Sequence, residues 1–507
     1  MTSSTVPGHL DSHVSRLCIA APPSEDLSSG AQVTKSLVRF HDPKISAYWR
    51  CFRLHDLPTE LLIHIFRIFA WSTTDPSAQA RRIMSLTWVC RYWRQTLISS
   101  ATMWSVILFK HPPPYEQAFT WLERAGTSPL YVGIEERHSP EDNTTDDDDD
   151  IEAKFSAEQI AWLMDKLLEK LPQIRHLVII VERRWTTAMA LDKLALIRHS
   201  QEKLCLERLE IHRTGYPQLW HKELDSGPHR TPRKLLGGAE VPSLKHVVLN
   251  AVHVDWVNSR LSNLTHLDIR DIVRDLSPNE RGFRDILWNC PNLVSLTLDG
   301  FGPRWTMIDT VFVPAVNLSH LRVLAMKNLP SEYALFVLAQ FTAPHVRKLT
   351  LTGMDRQDTT PFLIALTSSF KELRMLELKN FDLSKRRRDK PAIIQWLDSM
   401  PDLEYLLADG LQPHFFDALF RYQVSDDPAR PVVFYHQPLC PKLHTLEYYN
   451  MHPAVVLKFA VLRQERFVGL NRLYVGGLGF LPDESLKRCQ VLSAPPVGEE
   501  EAEILRS

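Results

Sequence analysis

The 507-residue sequence has no run near the ~18 consecutive apolar residues that a membrane-spanning helix requires. Its opening residues also lack a basic start followed by an apolar segment of leader length. Both absences point to the cytosol or nucleus and away from a membrane. Cysteine is scarce. The seven residues, at 18, 51, 90, 205, 290, 440 and 489, are odd in number and never at CxxC spacing, which argues against a zinc or iron site and for reduced thiols. Neither sign of charge is in excess, with 59 basic against 60 acidic side chains, so nothing draws the whole chain to nucleic acid or anionic lipid. Also missing are the GxxxxGK[ST] and GxGxxG phosphate loops, the GxSxG nucleophile turn and the HExxH metal helix. The 21 histidines are scattered. These gaps leave no catalytic or metal-binding residue to nominate, and no cofactor is expected.

What is present begins at Leu57, where the chain reads LPTELLIHIFRIF. Pro58 suits a first turn, where a proline removes no hydrogen bond, and Glu60 sits beside the positive helix end. Leu61, Ile65 and Phe69 form one stripe at four-residue spacing and Leu62 and Phe66 a second. Ile83, Met84, Leu86, Val89, Cys90, Tyr92, Trp93 and Leu97 then crowd two further short helices. A unit of ~50 residues cannot hide all of these side chains by itself, so one stripe is expected to meet a second protein.

The order Leu57, Pro58, Glu60, Leu61, Leu62, Ile65, Phe66, then Val89, Cys90, Arg91, Trp93, Arg94, then Trp104 resembles the F-box, a small three-helix domain. Two departures are a longer connection over Trp71 to Ala80 and Met103 where leucine is usual. The resemblance implies docking onto a Skp-family adaptor, and through it a cullin, by Leu57, Pro58, Leu61, Ile65, Val89, Cys90, Trp93 and Trp104. It also implies that the chain is not an enzyme, the ubiquitin-transferring chemistry lying in other subunits.

Further along, the phrase apolar-x-x-apolar-x-apolar occurs eleven times, beginning at Ile174, Leu206, Leu244, Leu264, Leu293, Leu321, Val346, Leu373, Leu403, Leu443 and Leu470. Successive phrases lie 20 to 40 residues apart, room for a strand, a turn and a returning helix. The last two apolar positions alternate as in a half-buried strand. Pro172, Pro242, Pro291, Pro344, Pro401 and Pro441 each stand two residues ahead of a phrase, closing the preceding helix. Between phrases lie amphipathic stretches such as SAEQIAWLMDKLLEKL, with Ser156 and Gln159 placed as a capping box.

This alternation resembles the leucine-rich repeat solenoid, in which parallel strands line one wall and helices the other. Where that family usually places Asn or Cys, this chain has Val252, Ile272, Phe301, Leu329, Met354, Phe381, Leu411, Met451 and Leu478. Apolar residues cannot hydrogen-bond the turn backbone, so uneven turns are expected. The residues between the leucines should face outward, from His246, Val248 and Asn250 to Thr445, Glu447 and Tyr449. Tyr405, Tyr448, Tyr449 and Tyr474 are the expected contacts for a target protein, tyrosine being enriched in binding hot spots.

The expected fold is α/β: a largely disordered segment 1–50, a three-helix F-box over 51–109, a linker with an acidic run over 110–155, an irregular repeat solenoid over 156–480 and a flexible tail over 481–507. The acidic run Asp146 to Asp150 and the basic stretch Lys385 to Lys390 read as solvated loops. The expected role is substrate recognition in an SCF-type ubiquitin ligase, with a protein-binding scaffold lacking any ligase connection as the alternative. A doubly wound α/β domain also alternates strands with helices and is the competing architecture.

Overall fold

A computed structural model describes residues 57–73, 75–136, 154–199, 204–214, 232–305, 314–354, 358–381, 390–423, 435–466, 468–476 and 489–492. The segment 1–50, the acidic run, residues 385–389 and most of 481–507 lie outside these described residues. The protein is α/β with a large parallel sheet. Contacts within the chain divide it into two units: 1–154 with 170–179 and 204–206, and 155–169 with 180–203 and 207–507.

The first unit opens with helix α1 (Thr59–Trp71), which starts behind Pro58. Helix α2 (Pro76–Val89) is capped by Asp75, whose carboxylate accepts from the Ser77 and Ala78 amides at 2.9 and 3.0 Å, and Pro76 fills the first turn. Cys90 has extended backbone that ends α2, and its Sγ accepts from the Trp93 amide at 3.4 Å to start α3 (Arg91–Ser99). Arg94 Nε donates to the Thr87 carbonyl at 3.0 Å and ties the two helices together. Leu62, Phe66, Ala70, Ile83, Leu86, Leu97, Met103 and Trp104 form the shared core.

The range expected to be a linker holds regular structure instead. Strand β1 (Val106–His111), helix α4 (Glu116–Arg124) and strand β2 (Leu130–Glu136) form a strand–helix–strand unit, the strands parallel from Val106 opposite Tyr131 to His111 opposite Glu136. Both strands escape a search for the leucine phrase, because VILFKH and LYVGIEE carry their apolar residues in other positions. Strand β3 (Ile174–Val181), the product of the first phrase, follows β2 in the sheet.

In the second unit, helices α5 (Ala157–Leu168) and α6 (Arg184–Ala195) precede strands β4 (Arg208–Arg213), β5 (His246–Asn250) and β6 (His266–Arg270). Helix α7 (Glu280–Trp288), β7 (Ser295–Asp299), a short β8 (Val316–Asn317), β9 (Val323–Lys327), α8 (Ser331–Leu338), a short β10 (Phe341–Thr342) and β11 (Lys348–Thr352) come next. The remainder is α9 (Thr360–Ser369), β12 (Met375–Lys379), α10 (Lys390–Asp398), β13 (Tyr405–Asp409), α11 (Pro413–Ala418), β14 (Phe420–Gln423), β15 (Tyr435–Pro438), β16 (Thr445–Tyr449), α12 (Pro453–Glu465), β17 (Arg472–Gly476) and β18 (Gln490–Leu492). Ser156 and Gln159 form the expected capping box of α5. β18 pairs in parallel with β17, so the range 481–507 contributes a strand that the sequence reading treated as tail.

Apart from the two short pairs β8–β10 and β14–β15, the strands of this unit lie side by side in chain order without reversal. A doubly wound sheet requires a reversal, so that architecture does not describe the unit. The register is constant. Leu267, Leu296, Leu324, Leu349, Leu376, Leu406, Leu446 and Leu473 face one another in a single buried row. Each contributes about 1.5–3 kcal/mol of burial.

The turns are regular, contrary to the expectation of uneven ones. The residue directly after β5, β6, β7, β9, β11, β12, β13 and β16 adopts a left-handed backbone, at Ala251, Asp271, Gly300, Asn328, Gly353, Asn380, Gly410 and Asn450. From Ala251 to Gly410 each donates its amide to the carbonyl just ahead of the next such residue, at 2.8–3.1 Å. The turn chemistry therefore sits one position before the apolar residues, and Val252, Ile272, Phe301, Leu329, Met354, Phe381 and Leu411 are free to be buried beneath it. Glycine and asparagine predominate because they tolerate this backbone at least cost. At the far end of the unit Arg463 is fully buried in α12. Its guanidinium donates to the carbonyls of Leu439, Cys440, Leu443 and Val468 at 3.0–3.1 Å.

Candidate functional site

Helix α1 splits its two apolar stripes between inside and outside. Leu62, Phe66 and Ala70 are buried, whereas Leu61 is 51% exposed and Ile65, Ile68 and Phe69 are open to a similar degree. Val89, Ile98 and, at 71%, Trp88 are exposed on α2 and α3. Arg82 lies over the Phe69 ring at 5.4 Å and Arg67 over Trp71 at 4.7 Å, so cations border the apolar area.

The residues expected to dock an adaptor divide by role. Pro58, Leu61, Ile65 and Val89 are exposed, and Leu57, Cys90 and Trp93 are half-buried. Cys90 serves as the cap of α3, and the Trp93 ring rests 4.7 Å from that of Phe66. Trp104 does not belong with them. It is fully buried, its indole N–H donates to the Leu97 carbonyl at 2.8 Å, its ring meets Trp121 edge-on at 5.4 Å, and Arg124 covers it at 4.6 Å. A tryptophan with a satisfied N–H and aromatic neighbours is a core residue. The sequence reading did not single out Trp88, Ile68 or Ile98. Spacing gave a partial signal for Ile68, which lies seven residues after Leu61 and so on the same side of the helix.

A second surface is the outward face of the strands in the other unit. At its N-terminal end Glu210 is gripped by Arg208, by His212 Nε2 at 3.1 Å and by His246 Nε2 at 3.8 Å. Burial alone would raise the Glu210 carboxyl, but the His212 hydrogen bond and the Arg208 charge outweigh it and bring it down to about 2. The rings of His246 and His266 stack at 5.1 Å, and burial with the nearby Arg208 charge lowers His266. Arg270 forks onto Asp268 at 2.8 and 2.5 Å. On the central strands Lys348 Nζ meets Glu377 at 2.7 Å, and Thr350 donates to the same carboxylate at 3.1 Å. Burial opposes the ionised form of Glu377, yet Lys348 and Lys379 hold its carboxyl below the usual range.

The C-terminal end of this face is closed. Met375, Tyr405 and Leu407 form a small cluster of their own with Tyr449 against it, and Thr445, Glu447 and Tyr474 are buried too. The hydroxyls of Tyr405 and Tyr449 both donate to Glu447. Of the four tyrosines expected to touch a target, Tyr405, Tyr448 and Tyr474 are buried and only Tyr449 is half-exposed. Tyr448 also faces the opposite way, because it shares register with the buried Ala408 in the inward row. Strand alternation places neighbours 448 and 449 on opposite faces, so the two were never one patch.

Among the described residues no helix is long and apolar enough to cross a membrane. Compared with known protein families and curated proteins, the chain matches no family model and no curated sequence.

Proposed function

We propose that this chain is a substrate receptor of an SCF-type ubiquitin ligase, binding a Skp-family adaptor through an F-box formed by α1 to α3 and a target protein through a divergent leucine-rich-repeat solenoid. The observation that carries this reading is the exposed apolar stripe of α1, Leu61, Ile65, Ile68 and Phe69, continued in kind by Trp88 and Val89. Large apolar side chains gathered on a small helical unit signify a protein partner. The motif order supports the same partner, since LPTELLIHIF places Leu61 and Ile65 at exposed positions and Leu62 and Phe66 in the core. The solenoid reading rests on the chain-order strand ladder and its repeated left-handed turn. In this role the chain contributes proximity, holding target lysines near a charged conjugating enzyme, and needs no catalytic residue of its own.

The test is recovery of adaptor and cullin with the full chain from cell extract, compared with a Leu61→Lys, Ile65→Lys variant. Both positions are exposed, so the variant should keep its fold and lose the adaptor. Equal recovery by the two proteins rejects the reading. Absence of adaptor from both leaves the scaffold alternative.

A further inference from the structure

Lys327, at the end of β9, Lys348 on β11 and Lys379, at the end of β12, share the outward face of the central strands. Lys348 is matched by Glu377 at 2.7 Å, and the Thr350 hydroxyl donates to the same carboxylate at 3.1 Å. The other two are left over. Lys379 lends its charge to Glu377 without touching it, and among the described residues neither Lys327 nor Lys379 makes a hydrogen bond or an ion pair. The strand register sets them on either side of Thr352, which lies opposite Lys327 on one side and Lys379 on the other. With strands ~4.8 Å apart, the two lysines are rooted about 9–10 Å from one another with only a short side chain between them. Thr352 Oγ1 has no hydrogen-bond partner among the described residues and adds an unused donor to the floor of this gap.

The rest of the row defines what fits. Asp299 lies opposite Lys327 and Asp409 opposite Lys379, so the outward order from β7 to β13 is Asp, Lys, Thr, Lys, Asp. Neither aspartate pairs with the lysine beside it. Asp299 accepts from Asn328 Nδ2 at 2.6 Å and Asp409 from Asn450 Nδ2 at 2.7 Å, so asparagines of the turns take the place that the lysines would fill. A carboxylate has acceptor positions enough for two ammonium groups at once. Asp299, Asp409 and Glu377 already offset Lys327, Lys348 and Lys379 in number, which suits a ligand of single negative charge better than a dianionic phosphate. A second acid further along the row would meet an aspartate, whereas a base there would be attracted to it. From Thr352 to either aspartate is two strand spacings, about 9–10 Å, the span of about three residues of extended chain.

We propose that Lys327 and Lys379 seat one acidic side chain of a partner polypeptide above Thr352, in a segment that crosses the strands and carries a basic residue about three positions to either side of the acid, to meet Asp299 and Asp409. The inference rests on the reading of the strand face as the target-binding surface, and it requires neither the adaptor nor the ligase assignment.

Fluorescence anisotropy with the full chain and a labelled KSGESGK peptide with blocked ends tests it at low ionic strength, where surface charges are least screened. The peptide should bind, and one of the same composition with the glutamate moved to its end, KSGKSGE, should bind at least about fivefold more weakly to the same unaltered protein. A K327Q/K379Q variant should lose at least about fivefold in affinity, whereas Lys442→Gln, outside the row and paired with Asp402 at 2.6 Å, should change it less than about twofold. Amine acetylation followed by mass spectrometry locates the contact on the unaltered protein: the first peptide should slow modification of Lys327 and Lys379 and leave that of Lys442 unchanged. Absence of binding, equal binding of the two peptides, or unslowed acetylation of Lys327 and Lys379 would each overturn the proposal, even if the double variant does not fold. Recovery of the adaptor by the same protein is read separately, so failure of the peptide with adaptor present removes this site and leaves the ligase reading standing.

Discussion

The side-chain oxygen of Asn328 occupies the space into which a Cβ on Gly353 would project, and Asn328 is held there by a 2.6 Å hydrogen bond to Asp299. Asn380 stands over Gly410 in the same way, at 3.0 Å. Asparagine and glycine therefore alternate as partners along this edge of the sheet.

Gly353→Ala combines two penalties, a left-handed backbone at φ +60° and overlap with Asn328. It should destabilise the protein by about 2–3 kcal/mol in urea denaturation. Gly300→Ala has the same backbone, φ +61°, but open space around the new methyl, and should cost only about 1 kcal/mol. The two costs should converge when Gly353→Ala is placed in an Asn328→Gly background.

Trp88 and Trp104 belong to one motif region and should behave oppositely. Trp104→Ala empties a core site and should cost about 3–5 kcal/mol of stability. Trp88→Ala removes an exposed ring, so the melting temperature should hold within about 2 °C while adaptor capture weakens about tenfold. Calorimetry and adaptor pull-down on the same two variants separate the roles.

Arg463→Met should cost about 3–5 kcal/mol in chemical denaturation, because four main-chain carbonyls lose their shared donor. Arg463→Lys should recover little of this, since one ammonium cannot reach carbonyls disposed around a planar fork.

Two groups should make the second unit acid-sensitive in separate windows. Burial and the charges of Arg184 and Arg233 outweigh Asp255 and hold the His253 imidazole down to about 4, below its ordinary 6.5. The unfolded chain therefore takes up a proton that the folded chain refuses, and about 2–3 kcal/mol of stability present above pH 6.5 is lost as the pH falls toward 4. Glu210, ordinarily near 4.5 but brought to about 2, contributes stability that is full above pH 4.5 and disappears as the pH falls through 2. Denaturation across the pH series should flatten in the upper window for His253→Gln and in the lower window for Glu210→Gln.

All eleven leucine phrases lead into strands, because a period-two apolar pattern followed by a turn is dictated locally. Strands β1 and β2 share the parallel pairing without the phrase, and so went unread. The turns were legible at the wrong position: Gly300, Asn328, Gly353, Asn380, Gly410 and Asn450 stand in plain sequence one residue ahead of the apolar positions that drew attention. On α1 the two stripes could be counted from spacing alone, whereas which stripe faced inward depended on packing against α2 and α3. The fate of Trp104 and of Tyr405 was set by neighbours distant in the chain, Trp121 and Arg124 for the one and Glu447 for the other. Single-sequence periodicity carries no information on such contacts.

Because the ladder strands from β5 to β13 exit through the same left-handed joint and pass its amide to the next in the same way, these steps have matching ends. Excising one whole step would bring together two surfaces that already fit, and an added step would meet no mismatch. Such a chain can change its reach by whole modules while the chemistry at every seam stays the same.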